Sequence, residues 1–316
     1  MIAGAVYQEL YGFQHRPFSL TPDPDFLYPA ASHQEAIEFL TYGLSEGLGF
    51  SVLTGEVGTG KTTLVHALLA QLPDSVKTAY VLNPVLSFPE ILVTILDDLG
   101  IHPVSTRKAD LLTELNRFLL EQHAKGCEVL VVIDEAHNLT ISLLEELRML
   151  SNLETSKAKL VHFLLIGQPE LDALLDLPGI RQLKQRVGVR VSLRPLTSDE
   201  TEAYIHHRLR VAGAHCRFTQ AAADQVFRFS GGIPRLINQI CHAALVAGYV
   251  AGARVITEAM VQRGRRELMA HQAGPPQQQI GGSGRQRFAR VSAVLLFLTV
   301  ATILGLAIIL VPQGLP

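Results

Sequence analysis

An α/β fold, in which a parallel sheet of short buried strands is followed by a small all-helical part, is predicted from three features of the 316-residue sequence. Short, almost wholly apolar runs alternate with helical patterns from residue 33 to residue 195, as in parallel strands covered on both faces. One of these runs, FSVLT, enters a glycine loop that opens a helix: LTGEVGTGKTTL, Leu53 to Leu64. After Pro195 the strand pattern stops and four helical stretches follow.

Composition sets the outer bounds. Apolar residues make up 48% of the chain, ample for a buried core. The formal net charge is −2 and the pI about 6.6. The strongly basic footprint of a dedicated nucleic-acid binder is missing, so nucleic acid is not an expected partner. Cys127, Cys216 and Cys241 stand far apart with no CxxC pair, the pattern of reduced thiols in a cytosolic protein. The histidines show no HExxH spacing. No metal site is expected beyond the Mg²⁺ that a nucleotide brings.

The elements follow in order. Residues 1–32 read as an extended strap. Pro17, Pro22, Pro24 and Pro29 exclude regular helix there, and Phe18, Phe26, Leu27 and Tyr28 are placed to fasten the strap to a neighbouring surface. Ser32 is predicted to open a helix, with Glu35 completing a capping box. Strand FSVLT and helix KTTLVHALLAQL come next, then strand TAYVL and helices PEILVTILDDLG and ADLLTELNRFLLEQHAKG. Strand EVLVVID, a helix around ISLLEELRMLSNLE, and strands KLVHFLLIG and GVRVSL complete an α/β domain at 33–195. TSDETEAYIHHRLRVAG, TQAAADQVFRFSG, PRLINQICHAALVAG and ITEAMVQRGRREL form a helical lid domain at 196–270, with Thr197, Thr219 and Thr257 at the N-caps.

A Gln-, Gly- and Pro-rich flexible linker is expected at 271–290. Val291 to Val311 is 21 residues without a charge, long enough as a helix to cross roughly 30 Å of hydrocarbon. Arg285, Arg287 and Arg290 precede it and no Lys or Arg follows. A single-pass membrane anchor is therefore expected, embedded in the lipid bilayer through residues 291–311, with the N-terminal body in the cytoplasm. The start, MIAGAVYQELYGF, lacks the basic n-region of a secretory signal.

The chemistry sits in two stretches. Gly55, Glu56, Val57, Gly58, Thr59, Gly60, Lys61 and Thr62 fit G-x-x-x-x-G-K-[ST] between a strand and a helix, and Thr63 continues them. Such a loop meets phosphate charge with backbone N–H groups and a helix N-terminus. Lys61 would reach the β- and γ-phosphates, and Thr62 would offer its hydroxyl to Mg²⁺. ATP and Mg²⁺ are thus the expected ligands. The apolar strand ending at Ile133 delivers Asp134, a second Mg²⁺ ligand, and Glu135, placed to polarise an attacking water. His137 reads as a helix-start residue beside the site.

Hydrolysis also needs positive charge at the γ-phosphate. Arg186 is a candidate finger pointing into a neighbouring subunit. Arg181 and Arg190 are its alternatives, and a plain solvated basic face is the other reading. Arg235 follows Gly231, Gly232, Ile233 and Pro234 at a helix start, from where it would couple lid position to phosphate state. Gln168 would orient the water, or is simply a turn residue before Pro169.

Taken together these residues resemble an AAA+ ATPase. More narrowly, the chain is similar to the general secretion pathway protein A (ExeA-type) family, which is related to ATPases of MSHA-type pilus biogenesis and exosortase loci. The similarity runs from Tyr11 to Leu268. It rests on Tyr11-Gly-Phe with Arg16-Pro-Phe-Ser-Leu-Thr-Pro-Asp-Pro-Asp-Phe-Leu-Tyr28, LTGEVGTGKTTL, VVIDEAHNL, IGQPEL, QLKQRV and GGIPRLINQIC. The resemblance implies a self-associating cytoplasmic ATPase, anchored in the inner membrane, that assists assembly of an envelope secretion or pilus-type system. Family members of this type continue past the anchor into a periplasmic region. Here PQGLP follows Val311, so an inner-membrane protein of that system is the expected partner. A DNA-associated AAA+ regulator resembling transposition ATPases is the alternative.

Overall fold

A computed structural model of the chain describes residues 7–21, 23–82, 84–155 and 158–272. The expected membrane span at 291–311 and nearly all of the expected linker lie outside them. Among the described residues no helix is long and apolar enough to cross a membrane.

The chain opens with α1 (Gln8–Tyr11), an irregular strap containing one 3₁₀ turn, and α2 (Ala31–Ser45). Then come β1 (Phe50–Gly55), α3 (Lys61–Gln71), β2 (Val76–Val81), α4 (Phe88–Asp98), α5 (Lys108–Ala124) and β3 (Glu128–Ile133). After β3 follow α6 (Ile141–Leu150), β4 (His162–Gly167), α7 (Pro169–Leu175), α8 (Arg181–Lys184) and β5 (Val187–Leu193). The five strands form one parallel sheet in the order β2-β3-β4-β1-β5.

Alternation along the strands builds two cores. Val129, Val131 and Ile133 of β3 join Phe50, Val52, Phe163 and Leu165 on one face, under α4, α5 and α6. Leu130 and Val132 turn the other way and join Leu53, Leu164 and Ile166 beneath α2 and α3. Successive residues of a strand face opposite sides. A strand covered on both sides must therefore be largely apolar, as β3 and β4 are beyond their first residues, Glu128 and His162.

The helical part comprises α9 (Ser198–Val211), α10 (Gln220–Ser230), α11 (Pro234–Val250) and α12 (Glu258–Gln272). Thr197 caps α9 in a capping box with Glu200, and Thr219 caps α10. Two short strands, β6 (Arg217–Phe218) and β7 (Val255–Ile256), pair in parallel between these helices. Sequence pattern does not reveal them, because two residues carry no periodicity. The strap belongs to this part's core: Tyr7, Tyr11, Phe13, Phe18 and Phe26 are buried with Ile205, Leu209, Ile237 and Leu245.

One helix start differs from expectation. α2 begins at Ala31 behind Ala30, with no side-chain cap, so Ser32 and Glu35 form no capping box. The Ala31 N–H donates instead to Glu200 Oε1 at 3.4 Å. An acceptor brought by α9 from 169 residues away replaces the local one, and Ser32 is free to be buried.

Candidate nucleotide site

β1 ends in the glycine loop, and the loop's backbone is shaped for close approach. Gly58 has φ +85°, and a Cβ there would lie 2.5 Å from Arg235 Cβ, so only glycine lets α11 approach this closely. The Arg235 N–H donates to Gly58 O at 3.1 Å. Ile233 precedes α11 and Pro234 occupies its first position, where a missing N–H costs nothing. The helical part is thereby fixed to the loop by backbone as well as side chain.

The first turn of α3 carries Lys61, Thr62 and Thr63. Lys61 Nζ donates to Gly55 O at 2.7 Å and Glu56 O at 3.1 Å. Burial holds its ammonium below the usual lysine range, opposed by the Glu135, Asp134, Glu56 and Glu170 carboxylates. A poorly solvated cation beside the N-terminal N–H groups of a helix gains strongly from a phosphate.

Asp134 is buried at the end of β3, and each of its oxygens is claimed. Oδ2 accepts from Thr62 Oγ1 (3.2 Å) and from the Tyr80 hydroxyl (2.9 Å); Oδ1 accepts from the Glu135 N–H (2.8 Å). Burial, then the Asp134 charge, push the Tyr80 phenol far above its usual range, so it remains a donor. Thr62 and Asp134 present hard oxygen donors side by side. This donor set fits Mg²⁺.

Glu135 has φ +52° and ψ +33°, and among the described residues it alone of the non-glycines has positive φ. A left-handed conformation costs an ordinary residue about 1–2 kcal/mol, and strain of this kind gathers where geometry serves function. The Glu135 side chain, 51% exposed, belongs to a residue that lines the cavity. Because β4 lies between β1 and β3, Gln168, the residue after β4, falls between the two motifs. Its amide lies 3.0 Å from His137 Nε2.

The cavity enclosed by these elements has a volume of about 350 Å³, within the range of small-ligand pockets. The glycine loop, Glu135, Gln168 and Arg235 line it. Part of its wall is the strap, between Ser19 and Tyr28, which sequence reasoning assigned to packing alone. Arg208, 7% exposed, holds that wall. Its guanidinium donates to Pro17 O and to Tyr204 Oη (3.0 Å), and lies 4.7 Å from the Phe26 ring centre. His33 was also missed. It is buried, Nε2 lies 3.2 Å from Thr59 O, and burial lowers its pKa. A positive charge in HHRLR at an apolar helix spacing was the one sequence signal for Arg208.

Arg186 stands apart from the cavity. It donates to Ser151 Oγ (2.7 Å) and Arg148 O (3.3 Å) at the end of α6. Of its alternatives, Arg190 is paired with Asp172 (2.6 Å) and Asp176 (3.3 Å), and Arg181 is exposed.

Fold and site together are those of the AAA+ ATPases. Residues 45–175 match the AAA domain family. The chain is 45% identical over 253 residues to general secretion pathway protein A of Aeromonas hydrophila, a match covering 79% of this chain and 46% of that protein. The resemblance read from the motifs therefore holds, and the chain spans about half the length of that relative. Among solved structures, the fold is similar to the ORC2 protein of Aeropyrum pernix, with a TM-score of 0.62, 19% identity and coverage of 81% of this chain and 72% of that one. It is also similar to RuvB, the Holliday junction branch migration motor of Thermotoga maritima, with a TM-score of 0.51, 20% identity, and 80% and 72% covered.

Proposed function

We propose that this chain is a membrane-anchored cytoplasmic ATPase that uses ATP hydrolysis to assist assembly of an envelope secretion or pilus-type system. The observation that carries the proposal is the 45% identity to general secretion pathway protein A over 79% of the chain. The apolar run from Val291 to Val311 supports the anchor.

In this reading the loop from Gly55 to Thr63 cradles the phosphates and Lys61 leaves its carbonyl partners for the β- and γ-oxygens. Thr62 and Asp134 would hold Mg²⁺, which when bound would neutralise charge developing on the phosphates. Glu135 takes the proton of the attacking water, and Gln168 orients that water. Arg235, carried by α11, ties the position of the helical lid to the state of the nucleotide. Arg186 acts in trans between subunits of a homo-oligomer, after giving up its bonds to Ser151 and Arg148. Specific turnover that rises with protein concentration is the expected sign of that contribution.

Lys61→Ala removes the ammonium from the cradle. It is expected to weaken ATP binding at least 100-fold, about 2.7 kcal/mol, measured by titration with a fluorescent ATP analogue. Affinity within threefold of wild type would sink the cradle assignment.

The proposal itself is tested on the full chain in detergent, by ATP turnover with and without double-stranded DNA. Turnover indifferent to DNA is expected. Strong stimulation would overturn the secretion reading in favour of a DNA-associated regulator.

A further inference from the structure

We propose that His137 is a positioning residue that ties Glu135 to Gln168, so that the carboxylate and the amide facing the attacking water move as one unit. The inference rests on the ATPase reading of this same site.

Both ring nitrogens of His137 are spent on these two residues. The Gln168 backbone N–H donates to Nδ1 at 3.4 Å. That makes Nδ1 the acceptor and places the ring proton on Nε2. Nε2 then lies 3.0 Å from the Gln168 amide and 3.4 Å from Glu135 Oε2. It is the amide nitrogen that stands there, and since Nδ1 already accepts, we turn the amide end for end, an interchangeable placement for glutamine, so that its oxygen accepts this N–H. A single N–H thus points to the Gln168 amide with Glu135 Oε2 3.4 Å from the same nitrogen.

The 3₁₀ turn that carries His137, Ala136–Asn138, has no side-chain cap, and the ring's partners lie outside that turn. A capping or helix-start role is therefore not what the side chain serves. Its surroundings differ from those of the group it holds: the His137 side chain is 13% exposed and that of Glu135 51%. A walled-in imidazole gives the exposed carboxylate a fixed anchor. The backbone keeps the ring in reach, because β4 ends in Gly167, where a Cβ would lie 3.3 Å from His137 N and 2.9 Å from Leu171 Cβ.

The test compares His137→Ala, His137→Gln and His137→Asn in the full chain, each measured for kcat and for affinity towards a fluorescent ATP analogue. His137→Ala is expected to lower kcat by roughly 10- to 100-fold, the scale of lost orientation, with affinity within about twofold of wild type. Glutamine can carry an N–H to the Nε2 position whereas asparagine matches only Nδ1. His137→Gln should therefore recover most of the loss and His137→Asn little of it, a ranking that a purely structural role would not produce. In a Gln168→Ala background the further change His137→Ala should cost less than threefold, because residues acting as a unit are not additive.

Full turnover in His137→Ala beside an inactive Glu135→Gln would overturn the inference and leave the ATPase reading standing. So would equal losses in the glutamine and asparagine variants, or additivity with Gln168→Ala. Full turnover in Glu135→Gln would instead remove the site reading, and this inference with it.

Discussion

Glu135→Gln is expected to lower ATP turnover by roughly 100- to 10,000-fold, the range for loss of a general base, while ATP still binds. The substitution is isosteric, so the left-handed backbone at φ +52° and the Asp134 Oδ1 bond to the residue's N–H are kept. What is lost is the carboxylate, the proposed acceptor for a proton from water. Binding should tighten slightly, because one of the negative charges around Lys61 disappears and a polyanion meets less repulsion. Single-turnover hydrolysis and equilibrium binding, measured on the same preparation, separate the two effects. Turnover within threefold of wild type would assign the base to another group.

Gly232→Ala is expected to be the most destabilising small substitution in the helical part, at about 3 kcal/mol. Its φ is +77°, and a Cβ would fall 1.9 Å from Leu196 O. The methyl must displace backbone that is bonded, since the Leu196 N–H donates to Gly232 O at 2.9 Å. Leu196 lines the nucleotide cavity and Gly232 precedes Arg235 in the turn before α11, so the displacement should also weaken nucleotide binding. Gly231 supplies the control. It ends α10 at φ +58°, and a Cβ there would meet nothing within 4 Å. Gly231→Ala should therefore cost only about 1 kcal/mol of conformational strain. Urea midpoints for the two variants give the comparison, and equal midpoints would show that the contact with Leu196 yields easily.

The parts of this molecule that were legible in the sequence share one property: their chemistry needs neighbouring residues. The proposed cradle from Gly55 to Thr63 must be contiguous, because successive amides would surround one phosphate. Asp134 and Glu135 must follow a buried strand, because the strand carries them to the ligand edge of the sheet. The caps at Thr197 and Thr219 bond to amides three residues on, so local spacing displayed them. The Ser32 cap failed for the converse reason, since Glu200 supplied its acceptor from another element.

Arg186 shows the same divide. Its position just before β5 was readable, but its bonds to Ser151 and Arg148 depend on where α6 ends against β5. His137 was placed beside the site by its position after Glu135, yet its work depends on Gln168, 31 residues away.

Periodicity and contacts within a few residues were enough to set the alternation of strand and helix, the phosphate cradle and the acidic pair. All three could be read from the linear chain. The sheet order that puts Gln168 between the two motifs could not, because it arises when distant strands pair. Folding likewise made the strap a wall of the cavity through Arg208, joined Tyr80 to Asp134, and brought Gln168 to both nitrogens of His137. Those contacts join residues 31 to 191 positions apart, and no local pattern records a proximity that the folded chain creates.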